Sequence, residues 1–131
     1  MSPARPAAAR FRPAVGCGVM IIEQVLLPVR PDRHTDFEAA FAEATPLITG
    51  MPGFRGLTLS RCVENHASYL LLVEWDRLED HTVGFRESAG YQDWRRLLHR
   101  FYDPAPTVLH FEPVAQAGPA ESSADGPGAS I

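Results

Sequence analysis

The segment Ser68 to Trp75 constrains this chain more than any other. It reads as a strand that is apolar on both faces: Tyr69, Leu71, Val73 and Trp75 alternate on one, Leu70 and Leu72 on the other. A strand of that kind needs cover on both sides. A chain of 131 residues has room for one core of ordinary size. Its own helices can cover one face, which leaves a second copy of the chain as the expected cover for the other.

The surrounding punctuation supplies the remaining elements. Val19 to Leu27 is rich in Ile, Val and Leu and is ended by Pro28 and Pro31, a strand. Thr35 with Glu38 has the spacing of a capping box. Phe37, Ala40, Phe41, Ala44 and Ile48 then recur at helical intervals, with Pro46 required to kink or break the run. Gly50-Met51-Pro52-Gly53 is a loop. Phe54 to Val63 is a second strand, joined to the Ser68 strand through Glu64-Asn65-His66, so the pair is expected to be an antiparallel hairpin. Asp76 and Glu79 open a second helix with Leu78, His81, Thr82 and Phe85 on one face. Ser88-Ala89-Gly90 interrupts it, and Tyr91, Trp94, Leu97, Leu98 and Phe101 continue the period. After Asp103-Pro104-Ala105-Pro106, Thr107 to Val114 is the last strand. The order β-α-β-β-α-β predicts an α+β, ferredoxin-like domain with a four-stranded antiparallel sheet and helices on one face. Its open face favours a homodimer formed by stacking two sheets.

Composition narrows function. All 12 basic residues are arginine, so neither a Schiff-base lysine nor a P-loop lysine is available. A net charge of −4 is unsuited to a phosphate backbone, so nucleic acid is not an expected partner. No G-x-G-x-x-G is present, and no apolar run approaches the length of a membrane helix. Cys17 and Cys62 make no disulfide framework, and a reducing cytoplasm fits. Residues 1–18 and 115–131 are aperiodic and rich in Ala, Pro, Gly and Ser, as expected of a disordered leader and tail. The folded unit is therefore expected at residues 19–114. Met20, immediately before the first strand, is an alternative translation start to Met1.

Several of these residues together resemble the antibiotic biosynthesis monooxygenase family. They are Met51-Pro52-Gly53-Phe54, Leu71-Leu72-Val73-Glu74-Trp75-Asp76, His81, Gly84-Phe85-Arg86-Glu87-Ser88, Tyr91, Trp94 and His110-Phe111-Glu112-Pro113-Val114. The resemblance spans residues 19–114. It implies a dimeric α+β barrel and a chemistry drawn from cofactor-free oxygenases of phenols and quinols, with a haem-degrading branch nearby. Trp75 matches the family tryptophan that ends strand three. His81 falls where cofactor-free members carry a polar or aromatic cavity residue, and Arg95 where some carry a cavity arginine. Some oxygenases have an asparagine four residues before the tryptophan; here it is Leu71. The haem-degrading branch has an asparagine, a tryptophan and a histidine where this chain offers Gln24 or Val25, Phe85, and Trp94, Arg95 or the more distant His99. The haem triad is not reproduced.

Each candidate has a plainer reading beside the functional one. His81 shares a helix face with Leu78 and Phe85, so a buried imidazole is available as a base, or as a core-edge residue bonded to a carbonyl. Arg95 is placed to stabilise an oxyanion, or merely to favour a helix C-terminus with Arg96 and Arg100. Trp75, Tyr69, Phe85 and Trp94 suit the walls of a flat pocket and equally an aromatic core. Gln24 is the polar candidate on the first strand. Arg86 and Glu87 read as solvated surface. His110 and Glu112 alternate on the last strand; with His81 or His66 they offer metal-type ligands, but at no recognised spacing. The resulting expectation is a cofactor-independent monooxygenase of an electron-rich aromatic, with O2 as co-substrate. His81 is the base, Arg95 holds the anion, and Trp75, Tyr69, Phe85, Trp94 and Gln24 contact the substrate. A non-catalytic dimeric module for an apolar metabolite or haem is the alternative.

Overall fold

The structure is a computed structural model that describes residues 11–13 and 20–120. In chain order the strands are β1 (Phe11–Pro13), β2 (Ile21–Pro28), β3 (Phe54–Arg61), β4 (Ser68–Trp75), β5 (Val108–Phe111) and β6 (Ala115–Ala117). The α-helices are α1 (His34–Ala44), α2 (Pro46–Thr49) and α3 (Ala89–Leu98), and a π-helical segment spans Asp80–Phe85. The main sheet has the order β3-β4-β2-β5, antiparallel throughout. This is the ferredoxin-like α+β arrangement expected from the sequence.

Pleating sorts the sheet into two faces. Val25, Leu27, Tyr69, Leu71, Val73 and Trp75 are buried against the helices, where they meet Phe37, Phe41, Phe85, Trp94, Leu98 and Phe101. Phe37 lies at the centre of an aromatic cluster, with ring centroids 4.9 Å from Tyr69 and 5.7 Å from Phe101. The opposite face carries Ile22, Leu70 and Leu72 with the exposed Leu26, Leu109 and Phe111. This leaves an apolar patch on the open face of the sheet.

Some local expectations are revised. The Thr35–Glu38 capping box does not form: α1 starts at His34 and its N-cap, Arg33, makes no side-chain cap bond. Glu38 turns instead to the sheet, where its Oε2 accepts from the Tyr69 hydroxyl at 2.6 Å and from Arg61 Nε at 3.0 Å. These bonds hold the Glu38 carboxyl below its ordinary range, while burial and the neighbouring carboxylate push the Tyr69 phenol up. Ser88, read as an interruption, caps α3, its Oγ accepting from Tyr91 N. Pro46 begins α2, ending α1 as expected. The leader and tail are not without regular structure throughout, because β1 and β6 pair antiparallel, Phe11 with Ala117. The rest of 1–19, Cys17 included, and 121–131 lie outside the described residues.

One glycine is essential to the geometry near the site. Gly53 has φ +83°, and a Cβ there would stand 2.0 Å from Asp80 Oδ2. Asp80 is buried and accepts from Arg77 N at 3.1 Å and Arg77 Nη2 at 3.0 Å. The Gly53 loop thus packs on the start of the π-helical segment, which only a residue without a side chain permits.

Candidate active site

A cavity of about 230 Å³ lies between the helices and the buried sheet face. Val25, Leu27, Leu71, Val108, Phe85 and Trp94 form its apolar walls. Glu23, His81 and Arg86 gather on it, and His99 and Tyr102 add polar atoms. Glu23 and Leu27, both on the β2 edge of the cavity, are four residues apart, so it extends ~13 Å along the strand. It is therefore a slot with a polar end and an apolar body of mixed aliphatic and aromatic side chains.

The polar end is built by strand register. Glu23 and His110 are directly paired across β2 and β5, and Glu23 pairs with Val73 on the other side. Both polar side chains therefore project toward the helices, and His81 descends onto them from the π-helical segment. Glu23 Oε1 accepts from Trp75 Nε1 at 3.0 Å and stands 3.4 Å from His81 Nε2. His81 Nδ1 and His110 Nε2 are hydrogen-bonded at 2.8 Å. The His81 ring also stacks on Trp75, with centroids 5.6 Å apart and planes 24° apart. His81 is 3% exposed and Glu23 6%, so both of its neighbours and its stacking partner fix the imidazole in one orientation.

Electrostatics follow from that burial. His81 is held neutral, its pKa lowered to about 3 by desolvation and then by the charges of Arg86 and His110. Desolvation raises the Glu23 pKa, partly opposed by the Trp75 hydrogen bond and by Arg86. His110 is lowered by desolvation and Arg86. Burial disfavours the charged form of each group, whichever sign it carries. At neutral pH the site offers an unprotonated imidazole with the Arg86 guanidinium nearby.

The π-helical turn decides which arginine serves the cavity. Arg86 N bonds to His81 O at 3.1 Å, five residues back. In an α-helix five residues rotate a side chain about 140° away from the starting face. The wider turn brings Arg86 back to the side of His81 and into the cavity wall. Such insertions are frequent at functional sites. Arg86, expected from the sequence as solvated surface, is exposed and also borders the cavity.

The sequence candidates separate accordingly. His81, Phe85 and Trp94 line the cavity. Trp75 is fully buried and sits behind His81 and Glu23 as their support. Arg95 is exposed on α3 and is not part of the cavity wall, because the helix turns it to solvent. Tyr69 is committed to Glu38, away from the cavity lining. Gln24 pairs with Leu72 and Leu109 and follows them to the open sheet face, one residue out of phase with Glu23. His81 and His110 do meet, but through nitrogens bonded to each other rather than converging on a shared point, and Glu112 is exposed. Among the described residues, no group of three His, Cys, Asp or Glu side chains is disposed to hold a metal ion. Glu23 was missed altogether. An acid in an otherwise Ile-, Val- and Leu-rich strand was the available signal, since such a group is buried only with partners.

The family model of the antibiotic biosynthesis monooxygenases matches residues 20–97. The chain belongs to this family. A Bacillus subtilis relative, the uncharacterised protein YczJ, is 52% identical over 95 residues, spanning 72% of this chain and 100% of YczJ. A solved structure from Bordetella bronchiseptica, assigned to the antibiotic biosynthesis monooxygenases, is 39% identical with a TM-score of 0.68. That match covers 71% of this chain and 95% of the other. SnoaB of Streptomyces nogalater, a cofactor-independent oxygenase, shares the fold at a TM-score of 0.60 and 18% identity, covering 80% of this chain and 96% of its own. Within this antibiotic biosynthesis monooxygenase fold, Leu71 is a cavity residue, so the position at which some oxygenases carry asparagine is here an apolar part of the wall. No helix among the described residues is long and apolar enough to cross a membrane.

Proposed function

We propose that this protein is a cofactor-independent monooxygenase that oxidises an electron-rich aromatic, such as a quinol, anthrone or phenol, with O2. The observation that carries the reading is His81: a neutral imidazole in the cavity wall, oriented by Trp75, Glu23 and His110, with Arg86 beside it. The description of SnoaB as a cofactor-independent oxygenase supports the same chemistry. His81 Nε2 takes the acidic proton of the substrate, and the nearby Glu23 carboxylate favours the imidazolium that forms. Arg86 takes the role first given to Arg95, holding the resulting anion. Phe85, Trp94 and Tyr91 border the ring with aromatic surface and exclude water. The anion gives one electron to O2, and the radical pair combines to a peroxide. Loss of water then converts a ring CH2 and O2 to C=O and H2O, with no external reductant.

The size of the cavity bears on the substrate. At about 230 Å³ it falls below the ~300–1,000 Å³ typical of sites for drug-sized ligands. A compact substrate of one to three rings suits it better than a tetracycle or a haem macrocycle. The active form in this proposal is a cytoplasmic homodimer closed through Leu26, Leu72, Leu109 and Phe111, with 19–114 as its folded unit. Oxygen uptake without added cofactor, across a panel of quinols, anthrones and hydroxynaphthalenes, tests the activity. His81→Ala should lower turnover about 10²–10⁴-fold, the usual range for a lost general base. Unchanged turnover would remove His81 as the base. Absence of uptake by the wild-type protein on the whole panel would instead favour a binding module, to be followed by haem and ring-compound titrations.

A further inference from the structure

The base proposed above has a difficulty that its surroundings resolve. A histidine that burial keeps neutral to about pH 3 cannot store a proton at neutral pH; it can only pass one on. The cavity side of His81 is occupied by Glu23, Arg86 and the substrate space. Its other nitrogen, Nδ1, is bonded to His110. His110 lies on β5, the edge strand of the sheet, and is only partly buried. The sheet register puts it there, opposite Glu23.

We infer that His110 is the proton outlet of this site: a relay residue that accepts from His81 Nδ1 through its own Nε2 and releases a proton from Nδ1 to solvent. This rests on His81 being the base that receives the substrate proton. In this relay each neutral imidazole begins with its proton on Nδ1. The substrate proton arrives at His81 Nε2, the His81 Nδ1 proton crosses to His110 Nε2, and the His110 Nδ1 proton leaves to water. Each ring ends neutral, with its proton on Nε2, and one proton has left the site. The reverse passage returns a proton when the peroxide loses water. The charged and titratable groups around this path are Glu23 on β2, Arg86 beyond the π-helical turn, and His81 itself. Arg86 disfavours a cation on either ring, so the proton is not retained along the path.

His110 touches no substrate in this scheme and acts through His81, so the test needs readouts that a purely structural role would leave unmoved. In weakly buffered solution at saturating substrate, His110→Ala and His110→Gln should both lower turnover about 10–100-fold with KM unchanged, a share of the general-base effect. Glutamine keeps a hydrogen bond to His81 but cannot relay. Added imidazole should restore the alanine variant. Wild-type turnover in His110→Gln, or a loss in His110→Ala that imidazole does not restore, would overturn the proposal. A second measurement needs no activity: nitrogen NMR of the wild-type protein should show scalar coupling between His81 Nδ1 and His110 Nε2 across the hydrogen bond, absent in His110→Ala. No coupling would overturn the relay by itself. Failure of the oxygenase reading looks different, since wild type would then consume no oxygen while the coupling persisted.

Discussion

Two carboxylates reach the buried face of this sheet and meet opposite fates. Glu38 projects from α1 to Tyr69 and to Arg61, and its charge is matched by a guanidinium at the protein surface. Glu23 projects from the middle of the sheet into the cavity, where its direct partners are Trp75 and His81, a histidine held neutral by burial. The first arrangement lowers a carboxyl pKa and pins a helix; the second raises one. Burial against compensation accounts for both signs. Unused space is what separates a strut from a site: the Glu23 end opens on about 230 Å³, whereas Glu38 and Tyr69 border no part of that cavity.

That contrast predicts where mutations register. The largest effect after loss of His81 should come from Arg86→Ala. Removing a cation from a developing anion should cost about 10²–10³-fold in turnover, with the melting temperature almost unchanged because Arg86 is exposed. Steady-state oxygen uptake checks this, and normal turnover would return Arg86 to the surface role. Tyr69→Phe should behave inversely, losing ~1 kcal/mol of stability through the bond to Glu38 while turnover stays within twofold. Urea unfolding and kinetics on the same preparation separate the two outcomes.

Stability should also depend on pH through the cavity cluster. Unfolded His81 binds a proton near pH 6.5, whereas the folded protein resists protonation to about pH 3. Its contribution is therefore complete above about pH 6.5 and lost as pH falls from there toward 3. His110 acts in the same direction. Glu23 acts oppositely, because its raised pKa adds stability at low pH that disappears as pH rises through its folded value. Urea midpoints should drop between pH 7 and pH 4 in the wild type and drop less in His81→Gln. Equal slopes would mean that His81 is solvated. The smallest effect belongs to Arg95→Ala, which should change both stability (by less than ~0.5 kcal/mol) and turnover negligibly. A large loss of oxygen uptake in that variant would restore the assignment drawn from sequence.

Much of the fold was legible because it depends on short-range pattern. The two-faced Ser68–Trp75 strand and the break at Pro46 each report a steric or solvation constraint that acts within a few residues. Parts of the site were legible for the same reason: His81 and Phe85 lie in the π-helical segment, Trp94 is a buried residue of α3, and all three line the cavity. Where reading failed, a longer-range choice intervened. Glu38 had the spacing of a capping residue but bonded across to the sheet. Gln24 and Glu23 are adjacent in sequence, and the pleat sends one to each face, so an error of one position exchanged a surface residue for a site residue.

The sequence by itself determined the β-α-β-β-α-β order, the apolar composition of both sheet faces and an aromatic helix face carrying one histidine, because hydrophobic period and proline sterics are local properties. Only the tertiary structure decided that Glu23 and His110 stand side by side, that a π-helical turn delivers Arg86 rather than Arg95, and that Tyr69 serves α1 instead of the cavity. Strand register and helix winding are settled by the packing of whole elements, and no pattern within a single segment encodes them.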